Sequence, residues 1–391
     1  MKKFSSNFIF SGNSAPIANG VLVTDDHGRV LDLLENDDGL EDVLHIDGFL
    51  CPGFVNSHCH LELSHLKGAL PEKRGLVNFI SPIIELRKAE GEVIDQSMRE
   101  AEREMRDNGI VAVGDICNTS DSFVVKSGSA MNFHNYIEVL ALDPQKAASV
   151  FSAGLDLFEE SVGMGMQCSM VPHAAYTASL DLLRLLGDHG RRQGGPLCIH
   201  NQESVHENTL YNVGAGPIKE FYSDLGNELD FFETTGTNSM EAVVQALGGE
   251  VPLLLVHNTY TEAVDIVNSV RYNSAISFCL CPNANMYIEQ KLPDINLLST
   301  GGHLIVLGTD SLASNRSLSI LDEMKTIALS DSGITLSTLI TWATYNGAKF
   351  LGFDDKLGTF DKGKQPGINL IYDVDLENLN ITSDSKVRVI L

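Results

Sequence analysis

The chain of 391 residues carries 27 Lys and Arg against 52 Asp and Glu, a formal net charge of −25 at pH 7. Such an acidic surface repels phosphate backbones and anionic lipid headgroups, which makes nucleic acid and membrane surfaces poor partners. With 43% hydrophobic and 20% charged residues, the composition is that of a globular chain with material for a sizeable core, unlike a disordered or collagenous one.

The N-terminus, Met1-Lys2-Lys3-Phe4, has the positive start of a signal peptide. Its apolar stretch Phe8-Ile9-Phe10 is far shorter than the roughly 7–15 residues of an h-region, so it reads as a first strand. Short β-rich runs follow: Val21-Leu22-Val23, then Val30-Leu31 before the acidic surface turn Glu35 to Asp42. The C-terminal residues behave alike, with Ile368 to Tyr372 and Val387 to Leu391 as β runs. The two ends are therefore expected to share one sheet, giving a small β-sandwich domain from 1–50 plus 355–391 around a core domain of 51–354. The seven cysteines are odd in number and widely spread, which fits a reducing compartment better than a secreted scaffold. No run approaches the roughly 18 apolar residues of a membrane span, so the expectation is a soluble, cytoplasmic protein.

Between the ends, short apolar runs alternate with segments of helical period, the pattern of βα units around a parallel sheet. Eight such runs end near Val55, Gly114, Leu140, Val171, Ile199, Val256, Leu280 and Leu307. Glu92 to Asp107 has helical spacing and stops at Gly109, and Asn238 to Leu247 starts on a capping residue and stops at Gly248-Gly249. Eight strand–helix units predict an α/β fold, a closed (β/α)8 TIM-like barrel.

In such barrels the chemistry sits at the C-terminal ends of the strands. His58 and His60 follow the first run, His173 the fourth, His200 and Glu203 the fifth, His257 the sixth and Asp310 the eighth. Two residues apart on extended backbone, His58 and His60 point to the same face and can grip one metal. Alone, this His-x-His also fits two satisfied polar residues at a strand end. Joined by His200 and Asp310 at other exits, it supplies three nitrogens and one oxygen, a set suited to a divalent metal such as zinc or iron with an open position for water. Glu203 is spaced to lie beside the metal without binding it, as a proton shuttle, where an isolated glutamate would more simply offset a helix dipole. His257 at a strand exit is a site candidate. The exit rule also nominates Glu62, Leu63, His173 and Asn285 as substrate contacts. Cys279 and Cys281 read as strand residues packed inside, and Gly214-Ala215-Gly216 as a flexible loop, since it lacks the context of a dinucleotide fingerprint.

The runs Pro52-Gly53-Phe54-Val55-Asn56-Ser57-His58-Cys59-His60, His200-Asn201-Gln202-Glu203, Val256-His257-Asn258, Cys281 to Asn285 and Leu307 to Ser311 resemble the amidohydrolase superfamily. They are most similar to its aminohydrolase and chlorohydrolase branch, which includes guanine, S-adenosylhomocysteine and aminodeoxyfutalosine deaminases. Thr341 to Ala348 resembles the family's last-helix motif and Gly358 to Gly363 its return to the β unit, so the likeness spans nearly the whole chain. The resemblance implies one metal ion held by His58, His60, His200 and Asp310. Zinc is the first expectation and iron or manganese the alternatives. It further implies that His257 orients the attacking water, that Glu203 carries protons and that His173 helps hold the substrate. The fourth exit carries His173 where binuclear members have a carboxylated lysine. Ala175 and the Cys281–Asn285 segment depart from the common pattern, which weakens transfer of substrate identity.

The expected activity is hydrolytic deamination of a purine, pterin or nucleoside-like amine, with Glu203, His257 and Asp310 as catalytic residues and a small molecule as substrate. The sequence leaves the oligomeric state open, and analogy with related barrels, which are often dimers, offers a homodimer. The alternatives are a chlorohydrolase or amide hydrolase using the same site, and an inactive scaffold.

Overall fold

The computed structural model describes residues 1–330 and 332–391. Eight parallel strands follow the expected order: β1 (Phe54–Cys59), β2 (Ile110–Cys117), β3 (Asn132–Val139), β4 (Gln167–Pro172), β5 (Leu197–Asn201), β6 (Leu253–His257), β7 (Ile276–Leu280) and β8 (Leu304–Leu307). They are buried almost end to end, which is why they read as apolar runs rather than as alternating patterns. β1 runs four residues past its expected end and carries His58 inside the strand.

The strands pair as two four-stranded sheets, β1 to β4 and β5 to β8. The expected closed barrel is met in part, because among the described residues the sheet edges are joined by isolated parallel bridges, Cys59 with Asp310 and Ala174 with His200, rather than by continuous ladders. Both bridges lie at the C-terminal ends of the strands. At the first seam the His58 carbonyl accepts the N–H groups of Thr309 and Asp310, and Asn56 exchanges hydrogen bonds with the Thr309 hydroxyl at 2.8 Å and the Thr309 N–H at 3.0 Å. Gly308 is required there, since a Cβ would stand 2.9 Å from the His58 Cβ and carbonyl oxygen. Asn56 and the Gly308-Thr309-Asp310 run are therefore two halves of one seam. Gly347 works similarly, letting the last helical segment lie against Val55, while Asn346 donates to the Ile305 carbonyl.

Helices cover the outer faces through apolar stripes. In Gly91–Asp107 the buried residues are Met98, Ala101 and Met105, and the helix ends before Gly109, whose φ is 76°. Ser239–Leu247 begins as expected, yet the Asn238 side chain makes no cap bond. It donates instead to Asp265 and accepts from Asn212, tying three segments together. Gly214-Ala215-Gly216 is the tight turn between helices Val205–Val213 and Pro217–Asp224, with Gly214 in the left-handed region.

The chain ends do share a sheet. Its order is Lys386–Val389, Ile368–Tyr372, Leu44–Pro52, Lys2–Ile9, Val21–Thr24 and Val30–Leu34, with Ile17–Ala18 added on Lys2–Ile9. These strands form one sheet among the described residues, where a two-sheet sandwich was expected. All seven cysteines are free, and Cys279 and Cys281 are fully buried as anticipated. Among the described residues no helix is long and apolar enough to cross a membrane.

Candidate active site

The strand exits bring five histidines and two carboxylates to one point. His60 Nε2 lies 3.1 Å from His58 Nε2, 3.2 Å from His200 Nε2 and 3.3 Å from Asp310 Oδ1, and Asp310 Oδ1 lies 3.6 Å from His58 Nε2. Ligand atoms about 2.0–2.1 Å from one common ion stand roughly 3 to 3.5 Å apart, so these four side chains fit a single divalent metal without rearrangement. The ring of His257 closes on the same point, with one nitrogen within 4.8 Å of ligand atoms of His58, His200 and Asp310.

Neighbouring groups fix which atoms face the centre. His200 Nδ1 donates to the His173 carbonyl at 2.7 Å, which only accepts, so Nε2 keeps its lone pair. Asp310 accepts the Ser314 hydroxyl on Oδ2, leaving Oδ1 for the cluster. The amide of Asn285 donates to the Thr259 hydroxyl at 2.9 Å and the His257 carbonyl at 3.3 Å, so its oxygen accepts from His257 Nδ1 at 3.0 Å. His257 Nε2 is thereby left bare, and it faces Glu203 Oε1 at 3.7 Å. Turning the chain inward at these exits puts Gln202, His257, Asn258 and Asp310 at positive φ, 44°, 72°, 57° and 58°. Such strain costs of order 1–3 kcal/mol per residue and is characteristic of functional sites.

Burial pushes the imidazoles of His58, His60 and His200 below the ordinary histidine range, so they are neutral donors. Burial also lowers His173, to about 4. For Asp310 burial opposes ionisation, but the imidazoles of His58, His60 and His257 around it outweigh that and hold the carboxyl well below its usual range. Burial pushes Glu203 up to about 7.

Above the cluster lies a cavity of about 280 Å³. His60, His173, His200, Glu203, His257 and Asp310 line its floor, and Leu63 contributes to its wall as anticipated. Glu62 faces the loop after β2. Its carboxylate accepts the N–H groups of Asn118 and Thr119 and the Ser122 hydroxyl, and it is absent from the cavity wall, so it braces the loop after β2. Asn285 contacts His257 and is likewise not among the residues lining this cavity. Sequence reasoning missed the helix Leu76–Leu86, whose Phe79, Ile80 and Ile83 roof the cavity, and it missed Glu138 on β3. A lone charge inside the apolar run Tyr136 to Leu140 was the signal for the latter.

A model of the amidohydrolase family matches residues 49–389. The chain belongs to the amidohydrolase family. Among relatives of this amidohydrolase, the 5-methylthioadenosine/S-adenosylhomocysteine deaminase of Natronomonas pharaonis is 25% identical over 357 residues, covering 85% of this chain and 75% of that protein. Two solved structures share its fold. The aminofutalosine deaminase of Helicobacter pylori in complex with methylthio-coformycin superposes with a TM-score of 0.80 at 19% identity, covering 95% of this chain and 92% of that one. The adenosine deaminase of Xanthomonas campestris with bound zinc gives 0.73 at 17% identity, covering 98% and 86%. The amidohydrolase is thus a hydrolase of non-peptide carbon–nitrogen bonds that acts on a small molecule.

Proposed function

We propose that this amidohydrolase hydrolyses the amine of a purine, pterin or nucleoside-like ring and releases ammonia. The observation that carries this reading is the placement of Glu203 and His257, 3.7 Å apart on the floor of the cavity beside the His58, His60, His200 and Asp310 cluster. The deaminases among its relatives support it.

His58, His60, His200 and Asp310 would hold one divalent ion, zinc first given the zinc in the adenosine deaminase structure. Such an ion lowers the pKa of a bound water from about 15.7 to about 7 and so supplies hydroxide at neutral pH. The remaining steps belong to the side chains. His257, its Nδ1 anchored by Asn285, orients the attacking water and with Asp310 takes up its proton. Glu203 protonates the ring nitrogen beside the attacked carbon, is reprotonated with the proton that His257 and Asp310 took from the water, and delivers that proton to the departing amine. His173 holds the ring edge. In this reading the two sheets are the halves of an eight-stranded barrel built from 51–354, with the terminal sheet of 1–50 and 355–391 as a separate β domain.

The test is ammonia release from purines, pterins and adenosyl compounds by metal-loaded enzyme. Glu203→Gln is expected to lower kcat by about 10²- to 10⁴-fold with metal content unchanged. Full activity in that variant overturns the role of Glu203. Absence of ammonia release from every member of the panel overturns the deaminase reading.

A further inference from the structure

We propose that Glu138 contacts the substrate, accepting a hydrogen bond from an N–H or O–H group that the substrate carries. The inference rests on the cavity being the substrate site of the proposed deaminase.

Glu138 projects from β3 and is 6% exposed. One carboxylate oxygen, Oε2, accepts the Asn118 amide at 2.8 Å, while Oε1 is buried with no partner. The residue lines the cavity beside its catalytic floor, and a carboxylate oxygen lies within 4.8 Å of a ring nitrogen of His173 and of His200. Leaving a buried acceptor unsatisfied is costly, more so for a charged group, so such atoms in native structures call for a missing partner. Protein groups do not supply one here. The nearby Arg87 reaches only Asn118, whose Oδ1 accepts from its guanidinium at 3.3 Å. Phe79, Ile80 and Ile83 of the same cavity lining are apolar and offer no hydrogen-bond donor.

A second metal ion shared by Glu138, His173 and His200 is disfavoured by the same geometry. His200 Nε2 faces the main cluster and its Nδ1 donates to the His173 carbonyl, so neither nitrogen is free for it. What remains is a hydrogen-bond donor arriving with the ligand. A purely structural Glu138 would need only its Asn118 contact, which a neutral amide could accept equally well. The donor can come from a sugar hydroxyl or from a ring N–H, and both present the same chemistry to Oε1.

The experiment measures equilibrium binding to metal-loaded protein for two probe pairs. Adenosine against 2′,3′-dideoxyadenosine removes the hydroxyls, and guanine against 1-methylguanine removes a ring N–H. In the wild type the donor-bearing member of one pair is expected to bind about 10- to 100-fold more tightly than its partner, the range of a hydrogen bond to a charged group. Glu138→Leu is expected to erase that gap with metal content unchanged, and to raise KM rather than lower kcat on any turned-over member. Should the leucine variant not fold, Glu138→Gln carries the test. It keeps the shape without the charge, and charge-assisted bonds are roughly twice as strong as neutral ones, so the gap is expected to shrink. Equal binding within both pairs by the wild type, absence of binding included, overturns the proposal, as does a gap that survives in Glu138→Leu or is undiminished in Glu138→Gln. The deaminase reading fails separately, through absent ammonia release while the binding gap stands.

Discussion

His257 shows how one residue's role depends on its neighbours. Its Nδ1 is committed to Asn285, which leaves Nε2 free toward Glu203 and the cluster. Asn285→Ala removes the acceptor and frees the ring to rotate or change tautomer. Loss of an outer partner of this kind costs about 10- to 100-fold, so kcat is expected to fall by that factor with metal content held, as read by steady-state kinetics and metal analysis. Asn285 was nominated from its position alone, and its contact with His257 makes it a positioning residue. Glu62 was nominated on the same rule, and its oxygens are consumed by the loop after β2.

At the scale of elements, buried charges brace the strand ends. Lys126, from helix Phe123–Ser127, pairs with Asp115 on β2 and also donates to Cys117 Sγ at 2.9 Å and Asn135 Oδ1 at 3.0 Å. Burial works against its charge, and Asp115 outweighs that and raises its pKa. Asp115 in turn accepts the Leu61 N–H at 2.8 Å, directly after His60. Lys126→Met leaves an unpaired buried carboxylate and is expected to cost about 3–5 kcal/mol in denaturant unfolding, part of which adding Asp115→Asn recovers. Glu323 joins the exits of β7 and β8 through the Asn283 N–H at 2.8 Å and the Asn315 amide at 2.7 Å. Burial pushes its pKa up to about 8 from 4.5. A raised folded pKa gives stability that is complete below the unfolded value and lost as pH rises through the folded one. Glu323→Gln, which cannot ionise, is therefore expected to gain on the wild type in melting temperature between pH 5 and 9. A constant difference across that range would show that Glu323 does not titrate in it.

For the whole molecule, the position of the metal-ligand set has a mechanical consequence. His58 lies in one four-stranded sheet with His60 just past its first strand, His200 lies in the other with Asp310 just past its last strand, and among the described residues the sheets are joined by isolated bridges and seam hydrogen bonds rather than by a continuous ladder. A shared ion would clamp those sheets. Binding to the folded state alone adds RT ln(1 + [L]/Kd), about 2.7 kcal/mol at 100 Kd. Chelation is therefore expected to lower the melting temperature by several degrees, with recovery on adding zinc. An unchanged melting curve would mean that the cluster does not hold an ion. The charge of −25 says little about a site lined by histidines and aimed at a cation.

The sequence by itself determined the strand order, the sharing of one sheet by the two chain ends and the convergence of His58, His60, His200, Glu203, His257 and Asp310. These follow from local causes: apolar runs that must be buried, and polar residues set at their exits by the chain direction of parallel strands. Only the tertiary structure decided what those exits meet. The pairing of Asn56 with Thr309, the 253-residue step that joins β1 to β8, is absent from any local pattern. The same is true of the roof formed by Phe79, Ile80 and Ile83 and of the unpartnered oxygen of Glu138. Periodicity reports which face of an element is buried, whereas a cavity is made by elements distant in sequence, and its shape depends on how their side chains pack together.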